Sequence, residues 1–444
     1  MPCHTADLRV PSCNVTAIEV DRLVDVRHEE LSRRILGQYV VSHEPGAVFN
    51  EVATRPARPA QAAVDVLLAE IAGDEPGLGE QVRILSEEPG SAPAFRVGAR
   101  LLRAWLDLHP AKVAAVARLA DDTESVSLLT YHLGEHIGAG PQPAEVSADR
   151  LDRLSAPGLN PAKDRAELAV IIPVGFPEGQ PERMRNCLAV LHALNRQHLD
   201  RSRYRVVVVE QGPLVRAGSA VTGLADDYVF APNPGDFNKS WAFNIAVDLV
   251  DNVPFLCLQD ADALPDPHFL DDNLRHLRAG ESALLPFTDV LFLDRESTAV
   301  TLHQVLPLDS GSGGGSVDYG SLRGFTMPNN NVGISVWLSR ERYLTVGGHD
   351  ERYRGWSYED IEFHGRLVAS GGVRRLPGML PHLWHPRPRM TLDGGMTRPN
   401  YYLRHIPRPA DGSQADGSRP GDPDRYLCEF ERSQRGGSDA RQPA

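Results

Sequence analysis

The sequence predicts an α/β protein with a parallel sheet covered by helices on both faces, preceded by a mixed, mainly helical N-terminal region. Three observations carry this prediction. Short apolar runs, "LAVIIPV" from Leu168, "YRVVVVEQG" from Tyr204 and "VPFLCLQDAD" from Val253, alternate with helical stretches, as in βα units. Upstream, "AQAAVDVLLAEIA" and "RVGARLLRAWLDLHPAKVAAVARLA" place apolar residues at three- and four-residue steps, as amphipathic helices do. The 444 residues are also enough for two domains with sizeable cores.

The elements follow in order. Residues 1–165 mix short strand-like pieces with helices and carry no chemistry-bearing motif. Within them "SAPGLNPAKDRAE", 155–167, is rich in Pro, Gly and Ala and reads as a linker. A strand from Leu168 precedes a helix spanning roughly 182–199, and "FNKSWAFNIAVDLV" reads as a helix ahead of the strand that ends at Asp260. Ligands of such sheets bind beyond the carboxyl ends of the strands. Gly175, Glu210 and Asp260 all fall there, so three strands point at one crevice. The stretch 309–321, "DSGSGGGSVDYGS", is expected to be a mobile loop, and 389–402, with its paired glycines, a lid. The expected domains are 1–165, 166–405, and a tail of 406–444 whose Gly, Pro, Ser and Asp content predicts disorder.

Composition excludes some functions. A net charge of −13 with no long basic block argues against nucleic acid or an anionic membrane as main partner. No window approaches the roughly 20 apolar residues of a membrane span, and the first 15 residues lack a signal peptide's basic start and apolar core. Five scattered cysteines, at 3, 13, 187, 257 and 428, form no metal-type pair and read as reduced thiols. A cytoplasmic location is expected.

The chemistry concentrates in three motifs. In "CLQDADALPD" a buried strand stops at Asp260 and Asp262, two hard anionic ligands suited to Mg²⁺ or Mn²⁺ with substrate phosphates completing the shell. Asp also ends strands and starts turns for purely local reasons, so this pair needs the others. "VGGHDERYRGWSYEDIEFHGRLVASGG", 346–372, leads through Trp356 into Glu359 and Asp360 at the start of a helix. These acids complement the helix dipole, but a carboxylate beside aromatic rings is also partly desolvated and drawn towards the pKa of a base. In "MLPHLWHPRPRM", His382 and His385 flank Trp384. A neutral imidazole completes a metal shell begun by a carboxylate. Arg183 and Arg185 would meet phosphate or uracil, or else be solvated helix charges.

Taken in order, "VIIPVGF", "FNKSWAFNIAV", "DADAL", "GISVWLSRERYLTVGGHDERYRGWSYEDIEF" and "HLWHP" resemble nucleotide-sugar glycosyltransferases of the GT-A fold. The resemblance is to family 2 enzymes with a galactosyltransferase-type C-terminal segment, such as chondroitin polymerases and β-1,4-galactosyltransferases, over residues 168–402. It implies a Rossmann-like GT-A domain in which Asp260 and Asp262 form the Asp-X-Asp metal motif. Asp262 would be the more direct ligand and Asp260 would lie nearer the ribose and metal. His385 would be a further ligand, and His382 stands where the galactosyltransferases carry Met. Pro173, Gly175 and Glu210 would line the nucleotide site, and Asn238 and Lys239 would face the nucleotide. Asp360 would be the base, Glu359 would contact the acceptor or orient the base, and Trp356 would shoulder the acceptor. The implied activity is metal-dependent, inverting transfer of a sugar from a nucleotide donor, UDP being the usual nucleotide, to an acceptor hydroxyl on a glycan, lipid carrier, peptide or small molecule. A nucleotidyltransferase of related fold and a non-catalytic nucleotide-sugar-binding module are the alternatives. Residues 1–165 resemble nothing recognised, and acceptor recognition, homo-oligomerisation and scaffolding all fit them.

Overall fold

The computed structural model describes residues 17–44, 55–138, 143–155, 158–309, 314–329, 331–355, 357–387, 399–408 and 419–427, with only the backbone for 17–26 and 55. Trp356 and most of the expected lid lie outside these residues.

The chain divides into two compact units: 1–44 with 56–127, and 45–55 with 128–444. The first is helical, with α1 (Ala17–His43), α2 (Arg58–Asp74), α3 (Pro76–Glu87), α4 (Ala92–Leu108) and α5 (Pro110–Val126). Pro59, Pro76, Pro93 and Pro110 each sit in the first turn of a helix, where a missing N–H costs no helical bond. The apolar stripes of these helices bury Ile35, Leu36, Leu68, Ile71, Leu78, Phe95, Leu102 and Leu106. Each such side chain contributes about 2 kcal/mol by leaving water.

The second unit begins with strand β1 (Thr130–Leu133). It continues through β2 (Leu168–Val174), α6 (Pro181–Leu194), β3 (Tyr204–Gly212), β4 (Asp227–Pro232), α7 (Lys239–Leu249), β5 (Phe255–Gln259) and α8 (Phe269–Arg278). Then come β6 (Ala283–Leu285), β7 (Asp289–Leu293), α9 (Arg295–Val305), β8 (Arg323–Thr326), β9 (Ser335–Ser339), α10 (Arg340–Thr345), α11 (Glu359–Ala369), β10 (Arg374–Arg375) and β11 (Met379–His382).

Seven strands form the main sheet in the order β10-β6-β9-β5-β2-β3-β4. The neighbours β5-β2-β3-β4 run parallel, as the sequence predicts. Strand β9 lies antiparallel to both β5 and β6, so the sheet is mixed. Alternate strand residues feed two cores. Val170, Ile172, Val206 and Val208 pack with Cys187, Leu188 and Leu191 of α6. Ala169, Ile171, Val207 and Val209 pack with Trp241, Phe243 and Ala246 of α7 and with Phe363 and Leu367 of α11. Burial on both faces explains why these strands read as continuous apolar runs.

A second sheet has the order β1-β8-β7-β11. Because β1 pairs with β8 from Thr130↔Thr326 to Leu133↔Arg323, the chain from Leu128 onward folds with the sheet unit. The division therefore falls ahead of the 155–167 stretch, and 1–165 is not one domain. The predicted helix of 182–199 stops at Leu194, and a 3₁₀ turn at Arg201–Arg203 leads into β3. Residues 419–427, inside the stretch whose composition suggests disorder, pack against α7, with Trp241 and Tyr426 rings 5.5 Å apart edge to face. No helix among the described residues is long and apolar enough to cross a membrane.

Candidate active site

Strand β5 ends at Gln259, and Asp260 and Asp262 occupy the turn that follows. The turn is zipped to the end of β11: Leu383 N donates to Asp262 O at 2.8 Å, Leu264 N donates to Pro381 O at 3.1 Å, and Ala263 bridges to His382. This ladder joins the edge of the second sheet to the centre of the first and brings His382 and His385 to Asp262. Helix α6 holds the strand from the other side. Arg185 Nη2 donates to Trp384 O at 2.7 Å, and Asn186 Nδ2 donates to Leu383 O and Trp384 O. Arg185 is thus neither solvated nor aimed at a phosphate; it is buried and anchors the histidine segment. Arg183 donates to Pro386 O.

Asp262, His382 and His385 bring one ligand atom each within 4.8 Å of one another. Asp262 Oδ2 lies 3.0 Å from His385 Nε2, and Oδ1 lies 3.3 Å from His382 Nε2. His382 Nδ1 donates to Leu383 O and His385 Nδ1 to Pro386 O. In neutral rings this leaves both Nε2 lone pairs facing the carboxylate. Burial pushes the His382 imidazole down to about 3, so that ring stays neutral. Asp262 Oδ1 is buried with no hydrogen-bond partner. An orphaned anionic oxygen and two imidazole lone pairs converging on one point fit a divalent cation. Asp260 is not part of this group.

Asp260 instead faces Lys239 at the first turn of α7, with Nζ 2.7 Å from Oδ1, and the same Nζ lies 3.1 Å from Asp360 Oδ2. Burial pushes Asp260 up to about 7 against the pull of Lys239; the charges of Asp262 and Asp360 add to the rise and tie the two clusters together. Glu359 is pushed up to about 8 by burial and then by Asp360, with Lys239 opposing. Asp360 reaches the cluster because residue 333 has no side chain: a Cβ on Gly333 would lie 1.8 Å from Asp360 Oδ2. The chain enters α11 through Ser357 and Tyr358, both with left-handed backbone (φ 99° and 71°), which costs about 1–3 kcal/mol each. Asn400 Nδ2 pins the entry by donating to Ser357 O and Arg354 O.

The remaining predicted residues fall into three situations. Pro173 is buried in β2, past Ile171, the last residue registered with β5. Gly175 lies against Phe237, whose ring a Cβ would meet at 2.9 Å. Glu210 and Asn238 have their polar groups taken up within the protein. Glu210 accepts from Arg216 N, Ala217 N and the Tyr228 hydroxyl. Asn238 caps α7 by accepting from Trp241 N and donates to Glu351 O. Neither side chain is turned outward to a ligand, because loop closure and helix capping claim them. The sequence reading missed Gly333 and Arg387. The Arg387 guanidinium lies 4.4 Å over the Phe292 ring, and burial lowers it to about 10 against the pull of Asp262. Its place two residues after His385 was the available signal.

The arrangement is an α/β unit with a cation-ready Asp-His-His group beside a Lys-bridged acid cluster. A family model described as the N-terminal domain of galactosyltransferase matches residues 324–387, which include Gly333, Glu359, Asp360, His382 and His385. No curated protein matches in sequence. Among solved structures, the catalytic domain of Drosophila β1,4-galactosyltransferase 7 in complex with xylobiose is 19% identical, with a TM-score of 0.26 over 47% of this chain and 64% of that one. The present chain thus covers under two thirds of that domain. Mannosyltransferase PcManGT from Pyrobaculum calidifontis, in complex with GDP-Man and Mn²⁺, is 15% identical with a TM-score of 0.32 over 67% and 82%. TarS of S. aureus is 11% identical with a TM-score of 0.34 over 49% and 37%.

Proposed function

We propose that the sheet unit is a metal-dependent glycosyltransferase that moves a sugar from a nucleotide-diphosphate donor, with UDP as the nucleotide, to an acceptor hydroxyl with inversion. The observation that carries this reading is the convergence of Asp262, His382 and His385 beside the Lys239–Asp260–Asp360 cluster. Asp262, His382 and His385 would hold the cation. A divalent ion bound there supplies charge stabilisation to a departing diphosphate. The buried guanidinium of Arg387 and the nearby Arg183 add positive charge on the same side.

Asp360 is the proposed base. Lys239 contacts its Oδ2 and fixes the direction in which the carboxylate points. With its pKa raised, Glu359 carries a proton near neutral pH and can donate a hydrogen bond to an acceptor sugar. An acceptor hydroxyl would pass its proton to Asp360 while attacking the anomeric carbon opposite the leaving group, which inverts that centre. A nucleotidyltransferase would want a Gly-rich, Lys/Arg-bearing loop after β2 for a triphosphate, and nothing in that chemistry calls for the Glu359–Asp360 pair. The role of residues 1–127, acceptor recognition or self-association, belongs to the same proposal.

The test is nucleotide release from a panel of UDP- and GDP-sugars with Mn²⁺, alongside calorimetric Mn²⁺ titration. Asp360→Asn should lose about 10²- to 10⁴-fold in turnover while binding Mn²⁺ like the parent. Equal turnover of parent and variant removes Asp360 from the base role, and no turnover with any donor removes the transferase reading.

A further inference from the structure

Lys239 bridges Asp260 and Asp360, so whatever fixes the start of α7 fixes the distance between them. Asn238 is the cap of that helix, and its Nδ2 donates to the backbone oxygen of Glu351 at 2.8 Å. The Glu351 side chain is fully buried. A buried carboxylate needs a counter-charge and donors. Asn244 Nδ2, six residues further along α7, donates to Glu351 Oε1 at 2.6 Å.

The other partners come from far along the chain. Gly421 N donates to Glu351 Oε1 at 2.7 Å, and the Arg425 guanidinium pairs with Oε2, itself 2% exposed. Around this pair the segment seals itself onto α7. Trp241 Nε1 donates to Asp422 O at 2.9 Å, the Arg425 guanidinium lies 5.2 Å over the Trp241 ring, and Tyr426 meets that ring edge on. A composition of Gly, Pro, Asp and Arg is thus drawn into contact by one buried ion pair and one indole.

We infer that residues 419–427 form a built-in strap and that Arg425 is a positioning residue for Lys239, acting through the Glu351 carboxylate and the Asn238 cap. Glu351 is the joint: its side chain is held by the strap and its backbone holds the cap. Without Arg425 the carboxylate must find water or another partner, and the 349–352 backbone that Asn238 leans on moves with it. The helix start then loosens while the metal group, built on β5 and β11, is untouched. The kinetic half of this inference rests on the transferase reading; the structural half does not.

The experiment compares full-length parent, Arg425→Ala and Arg425→Lys by hydrogen exchange with mass spectrometry, Mn²⁺ titration, and UDP-galactose hydrolysis with Mn²⁺. In Arg425→Ala, amides of 239–245 and 349–353 should exchange at least about tenfold faster, with 168–174 and 204–212 unchanged. Mn²⁺ affinity should stay within a factor of about two, and Arg425→Lys should restore part of the protection. Hydrolysis should lose about tenfold in kcat with little change in KM. If Arg425→Ala fails to fold, Glu351→Gln/Arg425→Gln, which leaves no buried charge, carries the same comparison. Loosening confined to 419–427, or spread evenly over the sheet unit, overturns the inference. If the parent hydrolyses no nucleotide sugar, the transferase reading falls and the exchange pattern alone decides the strap.

Discussion

Lys239 Nζ donates to Asp360 Oδ2 at 3.1 Å, joining residues 121 positions apart. The same ammonium pairs with Asp260, so one cation holds the proposed base beside the strand end that leads to the metal group. Lys239→Met should leave two half-buried carboxylates facing each other without a counter-ion. Losing one partner of such a pair costs about 3 kcal/mol, so the urea midpoint should fall. Turnover should drop at least as far as in Asp360→Asn. A Lys239→Met/Asp360→Asn double variant should be more stable than the two single losses summed, because the second change removes one stranded charge. Additive losses would show that the contact does not couple the two residues.

Gly333→Ala tests how Asp360 is placed. Its Cβ would meet the Asp360 carboxylate at 1.8 Å, and no real contact is that short, so the carboxylate must swing away. The Gly333 backbone has no positive φ, but the added Cβ would also lie 2.7 Å from Asp360 Cβ, which cannot rotate away, so the start of α11 must shift as well. The expected outcome is a lowered thermal stability, with the folded variant's turnover reduced to about the level of Asp360→Asn, a loss of at least 10²-fold. Turnover close to the parent's would show that Asp360 works from a different position.

Asp262→Asn should weaken Mn²⁺ binding most among the ligand variants, because it removes the only anion of the group. Metal ligands must offer lone pairs, and the Asn side chain offers one neutral oxygen. His385→Ala and His382→Ala should each cost about 10- to 100-fold in affinity, read by calorimetry. A chelator should abolish nucleotide release, and added Mn²⁺ should restore it. Unchanged Mn²⁺ affinity in all three variants would place the ion elsewhere.

His192 predicts an acid limit to stability that is separate from the site. Its Nε2 donates to Leu151 O and its Nδ1 accepts from Arg196. Burial, with Arg196 adding to it, pushes the imidazole down from 6.5 to about 4. The unfolded chain therefore binds the extra proton first. Stability from this group is complete above pH 6.5 and declines as pH falls towards 4, by up to about 3 kcal/mol. His192→Gln, which can still donate to Leu151 O, should flatten that part of the urea-midpoint profile. A parallel decline in both proteins would assign the acid loss to other groups.

Much of this was legible in the chain. The apolar runs from Leu168, Tyr204 and Phe255 announce central strands because burial on both faces leaves no polar alternation. Asp260, Asp262, Glu359, Asp360, His382 and His385 could be named because strand ends and helix starts are where a sheet of this kind collects polar side chains. Glu210 shows what that signal leaves out: it stands at a strand end, and its carboxylate closes the next loop.

The sequence by itself determined the central strands from Leu168, Tyr204 and Phe255, the amphipathic helices and which residue types could do chemistry, since those follow from local periodicity and side-chain character. Only the tertiary structure decided the partnerships. It separated Asp260 from Asp262, giving one to Lys239 and the other to two histidines, and it turned Arg185 from a candidate phosphate ligand into an anchor. It also drew 419–427 onto α7 through Arg425 and Glu351. The reason is physical: a buried charge must be matched by whichever opposite charge or donor the fold brings within reach, and that reach is set by packing between segments far apart in the chain.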